Sequence, residues 1–131
     1  MMAANIKSGK IKFWLPVLFW MGVIFFTSSI PGSCIPPLFF GQDVAYHSAI
    51  YLLLGFYFSR ALKNTAAGLP SGKIILFTAI FGIIYGLTDE FHQIFVPLRS
   101  ASVLDLLNDT LASLAGSLAL VFWSKLQRRT D

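Results

Sequence analysis

Long apolar segments recur along the chain and are separated by short polar stretches. Four of them, at residues 13–29, 43–62, 74–95 and 103–123, approach the roughly 20 apolar residues that a helix needs to cross a bilayer. Helices are favoured over strands because an open sheet edge cannot survive in lipid and four short strands cannot close a barrel. The pattern predicts an all-α integral membrane protein, with a bundle of four transmembrane helices in a single domain covering residues 1–131.

Composition supports this class and excludes others. Of the 131 residues, 56% are hydrophobic and only 12% are charged, whereas soluble domains carry about 25% charged residues. We therefore expect the lipid bilayer as a partner and no nucleic acid, which would need a densely basic surface. A disulfide scaffold is excluded because Cys34 is the only cysteine. One alternative makes the first segment a lipoprotein signal ending at Cys34, but Pro31 is a poor residue three positions before such a cysteine.

The charged residues are sorted by sign along the chain. Nine of the ten bases lie before the first segment, around the second loop or after the fourth segment. They are Lys7, Lys10, Lys12, Arg60, Lys63, Lys73, Lys125, Arg128 and Arg129. The tenth, Arg99, lies in the third loop. Because basic loops stay in the cytoplasm, we expect both termini to be cytoplasmic and the first and third loops to face outside. The net charge of +4 therefore reports topology rather than an anionic partner.

Five of the six acids fall at the predicted outer ends of the segments. They are Asp43, Asp89, Glu90, Asp105 and Asp109. With a rise of about 1.5 Å per helical residue, Asp89 lies ~22 Å above the inner start of its segment and Asp109 ~9 Å below the outer surface. Asp89 also shares a helical stripe with Thr78, Gly82, Gly86 and Gln93. Because charges inside a membrane are costly, this cluster predicts a functional site that faces the bundle interior.

Two kinds of chemistry are compatible with these residues. The candidates for binding a ligand are Asp43, Tyr51, Gln93, Arg99, Asp105, Asn108 and Asp109. The candidates for acid–base catalysis are His47, Asp89, Glu90 and His92, because closely placed carboxylates can divide the roles of acid and base. No nucleophile stands out, since Ser100 and Ser102 belong to no recognisable catalytic turn.

A divalent metal ion is a further alternative. Asp43 and His47 are four residues apart and Asp89 and His92 are three apart, so each pair can reach one ion from a single helix face. The competing interpretation is that these groups link helices through hydrogen bonds. Arg99 either binds a phosphate or carboxylate or neutralises the acids around it. Transport is disfavoured because the inner halves of the later segments carry few polar residues.

Two stretches resemble the VanZ-like family of membrane proteins. Residues 43–51, Asp-Val-Ala-Tyr-His-Ser-Ala-Ile-Tyr, are similar to its second-span motif, and Leu54-Gly55 follows them as in the family. Residues 85–99, from Tyr-Gly-Leu-Thr-Asp-Glu through Pro-Leu-Arg, are similar to its most recognisable stretch. The resemblance covers residues 24–120, although Asp109 stands where the family usually has asparagine and Ala112 where it usually has glycine.

The resemblance implies a multi-pass protein of the bacterial cytoplasmic membrane that acts in the cell envelope. The namesake of the family is associated with low-level teicoplanin resistance, so a contribution to glycopeptide tolerance is an expectation for this chain. We expect a polar site facing the extracytoplasmic side that binds an envelope or lipid-linked ligand. The alternative is a membrane-embedded acid–base or metal-assisted hydrolase or transferase that acts on a lipid-linked substrate at that site.

Overall fold

Four long helices form the protein in the computed structural model, which describes residues 2–130 and the side chains of residues 9–127. Helix α1 spans Met2–Ser28, α2 Gln42–Thr65, α3 Ser71–Gln93 and α4 Val103–Thr130, and a single 3₁₀ turn at Gly32–Cys34 lies in the first loop. The predicted all-α, four-helix fold is confirmed. Helices α1 and α4 extend beyond the predicted segments, because hydropathy marks the apolar part of a helix and misses its polar ends.

Three of the helices are long and apolar enough to cross a membrane. These stretches are Gly9–Ser28, Ser71–Gln93 and Val103–Gln127. Helix α2 is 24 residues long but is less apolar, since it carries Asp43, His47, Arg60 and Lys63. It contacts all three of the other helices. The position of α2 among apolar neighbours explains how a helix with so many polar side chains fits into this bundle.

Helices α2 and α4 make the most extensive contact in the bundle, because glycines allow their backbones to approach closely. A Cβ atom at Gly55 would overlap the carbonyl oxygen of Ser113, and a Cβ atom at Gly116 would overlap that of Leu52. Small residues at such crossings are typical of membrane helices, where packing rather than the hydrophobic effect holds helices together. This crossing fixes the alignment of α2 against α4.

A cluster of buried hydroxyl groups joins α2, α3 and α4 in the middle of the bundle. The Ser59 Oγ lies 2.7 Å from the Thr78 Oγ1 and donates a hydrogen bond of 2.7 Å to the Ser117 Oγ. All three side chains have no exposed surface. Large apolar side chains on the outer faces of the helices are exposed instead, among them Phe26, Ile84 and Leu111. The bundle therefore buries these hydroxyl groups beside a small apolar core and turns other large apolar side chains outward, as expected in lipid.

The loops are tied together at the end of the bundle where α1 and α3 finish and α2 and α4 begin, which we call the acidic end. The Gly32 N–H donates to the Pro97 carbonyl oxygen over 3.0 Å. The Arg99 guanidinium donates to the carbonyl oxygens of Ile30 at 3.2 Å and Thr27 at 3.5 Å. These contacts hold the first and third loops against each other around the polar residues at this end.

The opposite end of the bundle, which we call the basic end, carries the other bases whose side chains the structure describes. They are Lys10, Lys12, Arg60, Lys63, Lys73 and Lys125. The Lys10 Nζ donates to the Thr65 carbonyl oxygen over 3.1 Å and so joins the start of α1 to the end of α2. The side chains of Lys7, Arg128 and Arg129, which also entered the topology prediction, lie outside the described residues.

Candidate functional site

A buried histidine–aspartate pair connects α2 to α4 near the acidic end. The His47 Nδ1 lies 3.1 Å from the Asp109 Oδ1 and 3.4 Å from its Oδ2. The Asp109 side chain is fully buried and the His47 side chain is 13% exposed. Among the side chains of residues 9–127, this is the one ion pair within 4.0 Å. The close α2–α4 crossing positions the pair, since Gly55 and Gly116 lie two turns deeper on the same two helices.

The carboxylate of Asp89, on α3, completes a group of three residues from three helices. Its Oδ2 accepts hydrogen bonds from the Tyr51 hydroxyl at 3.3 Å and the Gln93 amide at 3.4 Å. One ligand atom from each of His47, Asp89 and Asp109 lies within 4.8 Å of the other two. Asp89 is 5% exposed and Tyr51 is fully buried. We call His47, Asp89 and Asp109 the His–Asp–Asp cluster.

Glu90 is also buried but makes a different contact. Its Oε2 accepts a hydrogen bond of 2.6 Å from the Ser102 N–H, just before α4 begins. The Ser102 Oγ in turn accepts one of 3.3 Å from the Asp105 N–H and so caps the first turn of α4. The other Glu90 oxygen, Oε1, is the one buried side-chain polar atom without a partner among the described residues. Glu90 therefore anchors the start of α4 to α3.

Asn108 and Asp43 occupy the rim of the site. The Ser48 hydroxyl donates to the Asn108 Oδ1 over 2.9 Å, and the Asn108 amide lies 3.5 Å from the Val44 carbonyl oxygen. These bonds make a second connection between α2 and α4, next to the His47–Asp109 pair, since Ser48 directly follows His47 and Asn108 directly precedes Asp109 in the chain. Asp43 lies in the first turn of α2 and its side chain is exposed.

His92 lies apart from the His–Asp–Asp cluster. Its Nε2 is 2.9 Å from the Ser29 Oγ, and its ring lies 4.7 Å from that of Phe25. It therefore faces the end of α1, whereas Asp89, three residues earlier, faces α2. Three residues along a helix rotate the side-chain direction by about 300°, which is about 60° short of a full turn. This difference is enough to direct the two side chains to different neighbouring helices. The structure thus groups His47 and Asp89 with Asp109, rather than with Asp43 and His92 as the spacing suggested.

Arg99 lies at the same end but its two hydrogen bonds go to the backbone of α1 and the first loop. Within the described part of the chain, its guanidinium makes no ion pair within 4.0 Å. The expectation that it directly neutralises a neighbouring acid is therefore not met by a close contact. Its side chain remains available at the surface of two cavities.

These two cavities meet at the acidic end. A polar cleft of about 340 Å³ contains Gln93, Ser100 and Asp105 among its lining residues. An apolar groove of about 300 Å³ runs between the ends of α1 and α2, and Ile30 and Ile50 contribute to it. Both cavities are lined by Ile35, Asp43, His47 and Arg99. His47 thus links the buried cluster to both openings.

The arrangement has the components of an acid–base site or a metal site. The imidazole of His47 is held by a carboxylate on one side, and its ring lies nearly parallel to that of Tyr51, at 12° and 6.1 Å. A second carboxylate, that of Asp89, is held by two donors. Sequence reasoning missed the parts played by Ser48 and Ser102. The one available signal was at Ser102, whose position three residues before Asp105 matches a capping pattern.

Comparison of the chain with known proteins identifies its family. No curated protein and no solved structure shows a significant similarity to the chain. The family model described as VanZ/LLP1 matches residues 13–124, which include all of α2 and α3, most of α1 and α4, and every residue of the site. The chain therefore belongs to the VanZ/LLP1 family of membrane proteins.

Proposed function

We propose that this VanZ/LLP1-family protein binds an amphipathic, lipid-linked molecule of the cell envelope at its acidic end. The observation that carries the proposal is the meeting of the polar cleft and the apolar groove at Asp43, His47 and Arg99. A molecule with a polar headgroup and a hydrocarbon chain needs two such compartments side by side. Ligand sites in general combine apolar walls with a few convergent polar groups.

The chemistry of the two compartments favours a phosphate-bearing headgroup. Arg99 is the one described arginine or lysine at this end, and a guanidinium can donate two parallel hydrogen bonds to a phosphate. Gln93, Ser100 and the His47 ring add donors around the polar cleft. The groove between α1 and α2 offers isoleucine side chains to a hydrocarbon chain, namely Ile30, Ile35 and Ile50.

The acidic end faces the outside of the cytoplasmic membrane in this proposal, because the described bases other than Arg99 belong to the opposite end. The single cysteine tests this directly, since Cys34 is exposed in the first loop. A membrane-impermeant maleimide is expected to label Cys34 in intact cells, and Cys34→Ser provides the control for background labelling. Labelling only after the cells are lysed would contradict the proposed orientation.

Ligand binding is tested with a diazirine-bearing polyprenyl monophosphate and the purified full chain in detergent. We expect crosslinking that an excess of unlabelled polyprenyl phosphate suppresses. Arg99→Gln, which removes the cation, and Ile50→Trp, which fills the groove, are both expected to reduce it. Leu118→Trp, at an exposed position on α4, is the matched control for added bulk. Equal crosslinking of all four proteins would contradict the proposal.

A contribution to glycopeptide tolerance follows as a physiological proposal, since teicoplanin acts outside the membrane and carries its own lipid chain. Expression of the protein in a susceptible host is expected to raise the inhibitory concentration of teicoplanin more than that of a glycopeptide without a lipid chain. The Arg99→Gln variant is expected to lose the effect at equal expression. An equal shift for both drugs would argue against recognition of a lipid-linked feature.

A second candidate function is acid–base hydrolysis of a lipid-linked phosphoanhydride, in which water attacks the terminal phosphorus and the lipid monophosphate leaves. The observation that favours it is the His47–Asp109 pair, in which a carboxylate orients an imidazole that reaches both cavities. Such a pair serves as a general base when substrate or water lies within hydrogen-bonding reach. Phosphate release from a polyprenyl diphosphate tests this function. Wild-type release rates in both His47→Gln and Asp109→Asn would exclude the pair as the catalytic base.

A further inference from the structure

The His–Asp–Asp cluster has the donor set of a transition-metal site. It offers one ring nitrogen and two carboxylate oxygens, from α2, α3 and α4, all within 4.8 Å of one another. With metal–ligand bonds of about 2.1 Å, neighbouring ligand atoms of a tetrahedral site are about 3.4 Å apart. The His47 Nδ1 and the Asp109 Oδ1 are already 3.1 Å apart. A small movement of the Asp89 carboxylate therefore brings the third ligand into place.

The charge balance inside the bundle provides an independent argument. Asp89, Glu90 and Asp109 are each at most 6% exposed, yet His47 is the one described base within 4.0 Å of any of them. An unpaired charge is costly inside a membrane protein. A divalent cation held by a neutral imidazole and two aspartates gives a group with no net charge, so a metal ion compensates both aspartates, whereas one protonated histidine compensates only one of them.

The residues around the cluster support the ligands in the way that metal sites require. The Tyr51 hydroxyl and the Gln93 amide both donate to the Asp89 Oδ2, which orients this carboxylate. Loss of such an outer contact typically costs about 10–100-fold in metal affinity. His47 also lines the polar cleft, whereas Asp89 and Asp109 do not, so water or a ligand from the cleft would reach a fourth coordination position past the imidazole. Three protein ligands with one open position are typical of catalytic rather than structural zinc sites.

We propose that His47, Asp89 and Asp109 bind one divalent transition-metal ion, for which Zn²⁺ is the reference species. Imidazole together with carboxylate favours this class of ion over Mg²⁺ and Ca²⁺, which prefer all-oxygen sites. Only the role of the ion rests on the proposed function: it would meet the phosphate of the headgroup through its open position. Binding of the ion itself depends on the three side chains alone.

The test measures metal binding without any lipid probe. The purified full chain is stripped with a chelator, and its affinity and stoichiometry for Zn²⁺ are measured by competition with a chromophoric chelator. We expect one Zn²⁺ per chain and a loss of more than about 100-fold in affinity for His47→Gln and for Asp109→Asn, beyond the roughly 10–100-fold that removal of an outer contact costs. His92→Gln is the matched control and is expected to bind as the wild type does.

A second readout keeps the result independent of folding defects. Co²⁺ substituted into the wild-type protein is expected to show visible absorption typical of four-coordinate cobalt, and Zn²⁺ should abolish it. His47→Gln, checked for a monodisperse elution profile, is expected to lack this spectrum. The proposal is overturned by wild-type protein that binds no Zn²⁺, by equal affinity in His47→Gln, or by an equal loss in His92→Gln.

The failure of this inference is distinguishable from failure of the proposed function. Crosslinking of the polyprenyl phosphate probe is repeated on stripped and on Zn²⁺-loaded protein. Crosslinking without any Zn²⁺ binding leaves the lipid site in place and overturns the metal site. Zn²⁺ binding with no crosslinking in either form overturns the lipid site and leaves the metal site in place. If the lipid site and the metal site both exist, we expect Zn²⁺ to increase crosslinking in the wild type and to leave it unchanged in His47→Gln.

Discussion

The His47–Asp109 pair gives a sharp prediction about stability in metal-free protein. Asp109 has no exposed surface and lies 3.1 Å from its partner. Removing one member of a buried pair leaves the other polar group without compensation, which costs about 3–5 kcal/mol. His47→Ala should therefore lower the free energy of unfolding by about 3 kcal/mol. This value is at the lower end of the range because the His47 side chain is 13% exposed, so water can replace part of the lost contact.

A double-mutant cycle separates the pair from its surroundings. Removing both partners, in His47→Ala combined with Asp109→Asn, leaves no unpaired aspartate and should cost less than the sum of the single changes by about 1–3 kcal/mol. Unfolding is followed by tryptophan fluorescence during titration of sodium dodecyl sulfate into mixed micelles, with a chelator present. His92→Ala is the control, because its hydrogen bond to Ser29 is only partly buried and should be worth about 1 kcal/mol. Strict additivity in the cycle would refute this reasoning.

Three further changes test the packing and the outer contacts. Ser59→Ala removes a hydroxyl that bridges two other buried hydroxyls, and the same titration should show a loss of about 1–2 kcal/mol; an unchanged midpoint would mean that the bridge contributes nothing. Gly116→Val places its side chain against the Leu52 carbonyl and should prevent close α2–α4 packing, seen as a loss of the monodisperse peak in gel filtration. Tyr51→Phe removes a donor to Asp89 and should weaken Zn²⁺ binding about 10–100-fold, whereas unchanged affinity would show that this contact does not orient a metal ligand.

The helical stripe of α3 was predictable because it depends only on local spacing. Thr78, Gly82, Gly86, Asp89 and Gln93 are all buried, as their positions on one face indicated. Apolar segments likewise predicted four helices, since the length and composition of each segment are properties of the segment alone. The polar ends of α1 and α4 were missed for the same reason, because they lie beyond the apolar stretches that mark a span.

Contacts between helices were much less predictable. Glu90 does not belong to the predicted α3 stripe, yet it is buried because it reaches the Ser102 N–H just before the start of α4. The metal candidates chosen by spacing were pairs within one helix, whereas the structure joins His47, Asp89 and Asp109 from three helices. The relative rotation of packed helices decides such groupings, and it depends on close crossings such as that at Gly55, which no local pattern specifies.

The measurement that tests the central claim most directly is the location of lipid crosslinks on the full chain in membranes. The diazirine is placed near the phosphate end of the polyprenyl probe, and the modified residues are identified by mass spectrometry. Our account predicts modification concentrated where the polar cleft meets the apolar groove, at residues 30–50 and around Arg99. Modification spread evenly over the exposed apolar faces of α1, α3 and α4, or concentrated at the basic end, would contradict it.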